Sequence, residues 1–286
     1  MGTVLRAWAG ASVVVALGAG ATQCALMPSL DGLSGGENAP DSSPGDATPV
    51  DAGSDGGGDG GGSDGGRWCA SLSPAPMFCD DFDDQGPLSR WTGEDTRAGA
   101  TVGRDGTALV SAPNSLLARS PAAVTPSSAY VFLDTTATKS KVRVAYDMRI
   151  DARDQNIAYA EINYIAIDSP VLHFRVYMRI GGKPTDNTTI TSEVYLADGG
   201  IPSHDVVLSG APRFDTWTRV GVTVDVASTP HTLSVTLDGK LAATQTLEPN
   251  LYAPGPVSVR PGIGYTGYPT TSDWRVRYDN VTIDWE

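Results

Sequence analysis

The sequence predicts an all-β fold, an antiparallel β-sandwich, and three observations carry that prediction. In Phe214 to Leu247, Val220, Val222, Val224 and Val226 occupy alternate positions, with Gly221, Thr223 and Asp225 between them. That period of two puts apolar and polar side chains on opposite faces of a strand. After a break at Ala227-Ser228-Thr229-Pro230, Leu233, Val235 and Leu237 alternate with Thr232, Ser234 and Thr236, and Asp238-Gly239 offers the two positive-φ positions of a tight turn before a strand from Leu241. Such one-sided strands need a second layer to cover them. Finally, glycine (33) and proline (20) are abundant, and no long stretch repeats at helical spacing.

Residues 1–23 read as an export signal. Arg6 supplies the positive start, and Trp8 to Ala21 is an apolar run too short to span a bilayer permanently. Two exits fit. Cleavage at Ala19-Gly20-Ala21 releases a periplasmic or secreted protein. Alternatively Cys24 is acylated, as in a bacterial lipoprotein, although Ala21 and Gln23 depart from the usual leucine and small residue before it. The lipoprotein exit is the expectation, with the outer membrane or cell surface as its location.

Residues 24–66 are expected to be a disordered tether. Asp31, Glu37, Asp41, Asp46, Asp51, Asp55, Asp59 and Asp64 are its charges, set in Gly and Ser with almost nothing apolar. Such a segment cannot offset its ordering entropy; as a coil it reaches about 35 Å. The expected domain, 67–286, keeps 25 acidic and 19 basic residues, a net charge of −6 against −13 for the chain. That balance argues against nucleic acid and anionic membrane surfaces as partners, leaves membrane contact to the lipid anchor, and gives no reason to expect more than a monomer.

Three cysteines divide naturally. Cys69 and Cys79 are expected to form a disulfide in an exported chain, which leaves Cys24 for acylation. A zinc site is the competing reading, but His173, His204 and His231 are scattered.

Further strands are expected at Phe78–Phe82, Asn114–Arg119, Tyr130–Leu133, Lys141–Ile150, Ile157–Ile167, Val171–Ile180, Ile190–Leu196 and Trp274–Trp285. In Val171–Ile180, Leu172, Phe174, Val176, Met178 and Ile180 alternate with His173, Arg175, Tyr177 and Arg179. Ile263 to Trp274, with Tyr265 and Tyr268, reads as a Gly/Pro-punctuated loop.

Cys79-Asp80-Asp81-Phe82-Asp83, the Asn114–Ala118 segment, Trp217-Thr218-Arg219-Val220 leading to Leu237-Asp238-Gly239, and Arg277-Tyr278-Asp279-Asn280-Val281 together resemble the concanavalin A-like lectin/glucanase superfamily. The leader and tether resemble those of exported myxobacterial lipoproteins. The superfamily resemblance implies a jelly roll of two curved sheets over about 78–286, a carbohydrate-binding concave face, and a structural calcium ion between first and last strands, for which Asp80, Asp81 and Asp279 offer oxygens. Laminarinase-like members imply Glu-x-Asp-x-(x)-Glu, a carboxylate pair for glycoside hydrolysis. Here Glu161 is followed by Asn163 and then Ile165 or Ala166, so the pair is absent and no enzyme is expected.

The polar face of these strands, with Arg143 and Arg149 alongside, assembles Tyr159, Glu161, Asn163, His173, Arg175, Tyr177, Arg179 and Tyr195. It is either the solvated side of a sheet or a groove where tyrosines stack on a glycan and arginines bind its hydroxyls or carboxylates. The expectation is a non-catalytic glycan-binding or cell-envelope interaction module. A structural envelope lipoprotein and a degenerate hydrolase are the alternatives.

Overall fold

The two-residue period of the sequence is realised as two antiparallel sheets packed face to face. The computed structural model describes residues 68–84, 87–169, 172–183 and 185–286; the export signal, Cys24 and the tether lie outside the described residues. One sheet has eight strands: β1 (Phe78–Asp80), β3 (Thr101–Asp105), β4 (Ser115–Ser120), β6 (Lys141–Ala152), β11 (Thr218–Asp225), β12 (His231–Leu237), β13 (Lys240–Leu247) and β15 (Trp274–Trp285). Its order is β13-β12-β11-β6-β15-β4-β3, with β1 paired to β15. The other has seven: β2 (Gly93–Arg97), β5 (Ser128–Asp134), β7 (Tyr159–Asp168), β8 (His173–Gly181), β9 (Thr188–Tyr195), β10 (Ser203–Val207) and β14 (Val257–Thr266), in the order β10-β9-β8-β7-β14-β5-β2. The one helix among the described residues, α1, is the single turn Trp68–Ser71. This is the jelly-roll β-sandwich.

The core is the set of apolar residues that the alternation turns inward. Val142, Val144 and Met148 of β6, and Val220, Val222 and Val224 of β11, meet Phe174, Val176 and Met178 of β8 and Ile162 and Ile167 of β7 across the interlayer. Burying each side chain stabilises by about 1.5–3 kcal/mol, so register is tightly specified. The Asp238-Gly239 turn has φ of 48° and 74°, as the hairpin requires, and the Asp238 carboxylate accepts the Arg219 N–H at 2.9 Å.

The first strand is tied down by the Cys69–Cys79 disulfide, whose Cα atoms stand 5.8 Å apart. Asp81 accepts the Cys69 N–H at 3.1 Å, and the Arg219 guanidinium lies 5.2 Å from the Trp68 ring.

The carboxylates expected to hold a calcium ion already serve hydrogen-bond donors. Asp80 accepts the Phe82 N–H and the Trp91 indole N–H, at 2.8 and 2.7 Å. Asp279 accepts the backbone N–H groups of Val110, Ser111 and Asn280 and the Ser111 hydroxyl. The oxygens of Asp80 and Asp279 thus already serve N–H and O–H donors, and among the described residues no group of three or more His, Cys, Asp or Glu side chains converges on a metal position. Asp80 and Asp279 thereby fasten loops to strand ends.

Strand β11 ends on Asp225, where partial burial opposes ionisation. Hydrogen bonds from Lys141 at 2.8 Å and from the Ser228 and Ala227 N–H groups outweigh it and hold the carboxyl at about 2. A depressed folded pKa stabilises above the unfolded value, near 4, and that stability is lost as pH falls towards 2. Asp225→Asn is therefore expected to cost about 2 kcal/mol in urea unfolding at neutral pH and to cost nothing near pH 2. An equal loss at both would contradict this assignment.

Candidate functional site

The outer face of the seven-stranded sheet is built row by row from strand register. His173 on β8 stands between Asp168 on β7 and Tyr195 on β9. One same-face step along, Arg175 stands between Ala166 and Glu193, and two steps further Arg179 stands between Glu161 and Thr189. Tyr159, Glu161, His173, Arg175, Tyr177, Arg179 and Tyr195 therefore share one surface, as the alternation requires.

Asn163 does not share it. Its φ is 55°, and the β7–β8 register shifts between Ile162 and Ile165. This is a β-bulge, and the extra residue reverses the alternation. The Asn163 side chain turns into the core, where its Nδ2 lies 3.7 Å from Met148 Sδ. Tyr164 takes its place on the outer face and donates its hydroxyl to Glu161. Arg143 and Arg149 also stand elsewhere: they lie on β6 of the other sheet, where Arg143 pairs with Glu286 at 2.8 Å and Arg149 with Asp151 and Asp215.

The loop expected over Ile263–Trp274 is shorter: its first four residues close β14, a central strand, and only 267–273 lie between strands. β14 brings Tyr265 within 6.4 Å of Tyr159, ring to ring, and places Arg260 opposite Tyr164. Trp274, by contrast, is fully buried at the start of β15.

Tyrosine–carboxylate pairs organise the face. Tyr130 donates to Asp95 at 2.8 Å, Tyr177 to Glu193 at 2.5 Å and Tyr195 to Glu193 at 3.1 Å. Burial raises the pKa of Tyr130, Tyr164, Tyr177 and Tyr195, and the neighbouring carboxylates raise it further, so these hydroxyls stay protonated. Burial also raises Glu161, against the opposing pull of Tyr164 and Arg179.

His173 is held as a neutral imidazole. Its Nδ1 meets Asp168, and its Nε2 accepts the Arg175 Nε–H at 3.1 Å. Burial, then Arg175 and Arg260, push its pKa below the ordinary 6.5.

The arginines of this face are not equivalent. Arg179 pairs with Asp205 at 3.2 Å and lies 3.7 and 3.9 Å from Glu161 and Glu193. Arg97 pairs with Asp95 at 3.1 Å. Arg175 and Arg260 make no direct ion pair among the described residues, although Arg260 acts on Asp95 and Arg175 on Glu161 from further away. Arg175 donates to His173 and, at 3.2 Å, to the Tyr195 hydroxyl; Arg260 donates to Ser258 at 2.8 Å. Both line a cleft of about 190 Å³ with Ser128, Tyr130, Tyr164, Gly264 and the Asp95–Arg97 pair. Two partly buried guanidiniums with no directly bonded carboxylate in one cleft have the chemistry to bind an anion.

No protein-family model matches the sequence, and no curated protein sequence matches it. Solved structures do match the fold. The chain is similar to the endo-beta-1,4-glucuronan lyase of the fungus Trichoderma reesei, with a TM-score of 0.55 and 15% identity over 73% of this chain and 95% of that one. It is also similar to the marine PL-14 alginate lyase of Aplysia kurodai, with a TM-score of 0.51 and 8% identity over 74% and 99%.

The expectation that the chain is no enzyme is overturned by this likeness, since the same jelly roll frames two lyases. The missing carboxylate pair excluded one mechanism only. Glycoside hydrolysis needs two carboxylates, whereas elimination next to a carboxylate needs a base, an acid and a cation.

Proposed function

We propose that the chain is an exported lyase that cleaves a uronate-bearing polysaccharide by β-elimination. The observation that carries this reading is the pair of guanidiniums not bonded to any carboxylate, Arg175 and Arg260, in a tyrosine-lined cleft beside a neutral histidine. A neutral glycan gives such cations nothing to pair with, and leaving them partly desolvated without an anion is costly. A uronate carboxylate fits both, and the two lyases of similar fold agree with that substrate class.

The residues divide the chemistry. Arg175 and Arg260 hold the C6 carboxylate and neutralise it, which acidifies the C5 proton. Arg175 leaves His173 Nε2 in doing so and frees its lone pair. His173, oriented through Nδ1 by Asp168, removes the C5 proton as general base. The electron pair forms the C4–C5 double bond, the C4–O4 bond breaks, and the leaving oxygen takes the proton of Tyr195, the cross-strand neighbour whose ring lies 5.4 Å from His173. Tyr195 regains its proton from water as His173 gives one up.

Glucuronan and alginate, each beside a carboxyl-reduced counterpart, test the reading. Ultraviolet absorbance of the new double bond is expected with at least one acidic polymer and with neither reduced one. Equal action on a reduced polymer would overturn the carboxylate clamp. The pH profile of kcat/KM carries the sign of the His173 shift: the neutral base is present above its depressed pKa, so activity is expected to fall on the acid side with a midpoint below 6.5. A midpoint above 6.5 would remove His173 from the role.

The leader and Cys24 support an exported lipoprotein, with the acidic tether holding the domain off the membrane. Cys24→Ser is expected to move the protein from the detergent phase to the aqueous phase on partitioning; a wild-type protein already aqueous would leave secretion as the exit.

A further inference from the structure

Tyr164 owes its place to two backbone features, one on its own strand and one on the neighbouring strand. The first is the bulge at Asn163, whose left-handed backbone turns the next side chain outward. The second lies on the neighbouring strand, where β14 has its own register shift between Ile263 and Tyr265 and carries Gly264 at that point. A Cβ built on Gly264 would fall inside the Tyr164 ring. The ring thus lies over a glycine that only glycine can be. It is backed by Tyr177, 5.0 Å away between centroids, and its hydroxyl is fastened to Glu161.

That ring lines the cleft between Arg175 and Arg260, and Arg260 is its direct cross-strand partner. It is 91% buried, and its ring is wedged between strand backbone and Tyr177, so it has little freedom to move aside. Whatever sugar brings a carboxylate to the two guanidiniums must pack against Tyr164. We infer that Tyr164 is the specificity-determining floor of the cleft, positioned by Gly264 and the Asn163 bulge so that a uronate ring resting on it presents its carboxylate to Arg175 and Arg260 together. This rests on the lyase reading and adds to it a residue that binds rather than reacts.

The consequence is a split between KM and kcat and a specific non-additivity. Tyr164→Ala removes the floor, and Gly264→Ala displaces it. Each is expected to raise KM for the cleaved polyuronate about tenfold, with kcat held within about threefold, because neither touches His173 or Tyr195. The double substitution is expected to raise KM no further than either alone, since with the ring gone the added methyl has nothing to displace. KM effects that multiply in the double variant, or an unchanged KM in Tyr164→Ala, would overturn the inference. If Gly264→Ala fails to fold, Tyr164→Leu, which keeps apolar volume but not the flat ring, is expected to show the same KM increase; an unchanged KM there would overturn it equally. Failure of the lyase reading looks different: the wild-type chain then cleaves no polyuronate, and the inference falls with it.

Discussion

Replacing Arg175 with alanine is expected to lower kcat/KM on the cleaved polyuronate by about 10²–10³, the effect of removing a preorganised charged donor from a site where charge develops. Arg175 does more than pair with the carboxylate. In the resting site it occupies the lone pair of His173 and touches the Tyr195 hydroxyl, so it couples binding of the anion to release of the base. Arg175→Lys is expected to recover little, because an ammonium cannot span the histidine, the hydroxyl and the carboxylate as a planar fork does. The Arg260→Ala loss is expected to be smaller, near tenfold, since Arg260 holds the anion without contacting the base. Initial rates followed by ultraviolet absorbance decide this. A lysine variant as active as wild type would reduce Arg175 to a bystanding charge.

The largest expected loss of stability lies on the opposite sheet. The Arg277 side chain is 6% exposed and bridges two strands: Nε meets Asp151 at 2.5 Å and Nη1 meets Asp105 at 2.6 Å, while Nη2 donates to Thr107 at 2.7 Å. Burial lowers its pKa, but the hydrogen bonds it donates to Asp151 and Asp105 more than reverse this and keep it charged. Arg277→Ala leaves both carboxylates without their buried partner. Breaking such a pair costs about 3–5 kcal/mol when nothing replaces it. Arg149 still reaches Asp151 at 2.8 Å, which places the expected cost near 3 kcal/mol, or a Tm lower by roughly 6–12 °C. Thermal unfolding measures it, and a shift below about 2 °C would mean that the network contributes nothing net.

The sandwich was legible wherever both conditions of a half-buried strand were met, alternation and an uninterrupted run. β6, β8, β11 and β12 satisfy both, and their inward residues are the core. β14 satisfies neither, because Pro261, Gly262 and Gly264 interrupt Val257–Thr266 and its register slips twice against β7. Read by composition, it is a loop. It is nevertheless a central strand, and it carries Arg260, half of the guanidinium pair.

The same limit explains Asn163 and Tyr164. A period-two reading assigns every residue to a face from its neighbours' parity, and a bulge changes parity midway. Asn163 is among the residues that best tolerate the left-handed conformation, which was the one local sign available. The seven residues correctly placed on the outer face lie before the bulge or on strands without one. The chemistry of the face is hidden from the sequence for a different reason. A carboxylate pair at hydrolase spacing is a local pattern, whereas arginines with no directly bonded carboxylate depend on how the fold distributes its charges, and no spacing rule encodes that.

The central claim is that bonds in an acidic polysaccharide break by elimination on this face. It is tested most directly by incubating the full-length protein with glucuronan or alginate in heavy-oxygen water and weighing the products. The account expects oligosaccharides ending in a 4,5-unsaturated uronate, with no heavy oxygen incorporated at the cleaved bond. Products carrying heavy oxygen and a saturated end would show hydrolysis, and uncut polymer would show no reaction; either result would contradict the account.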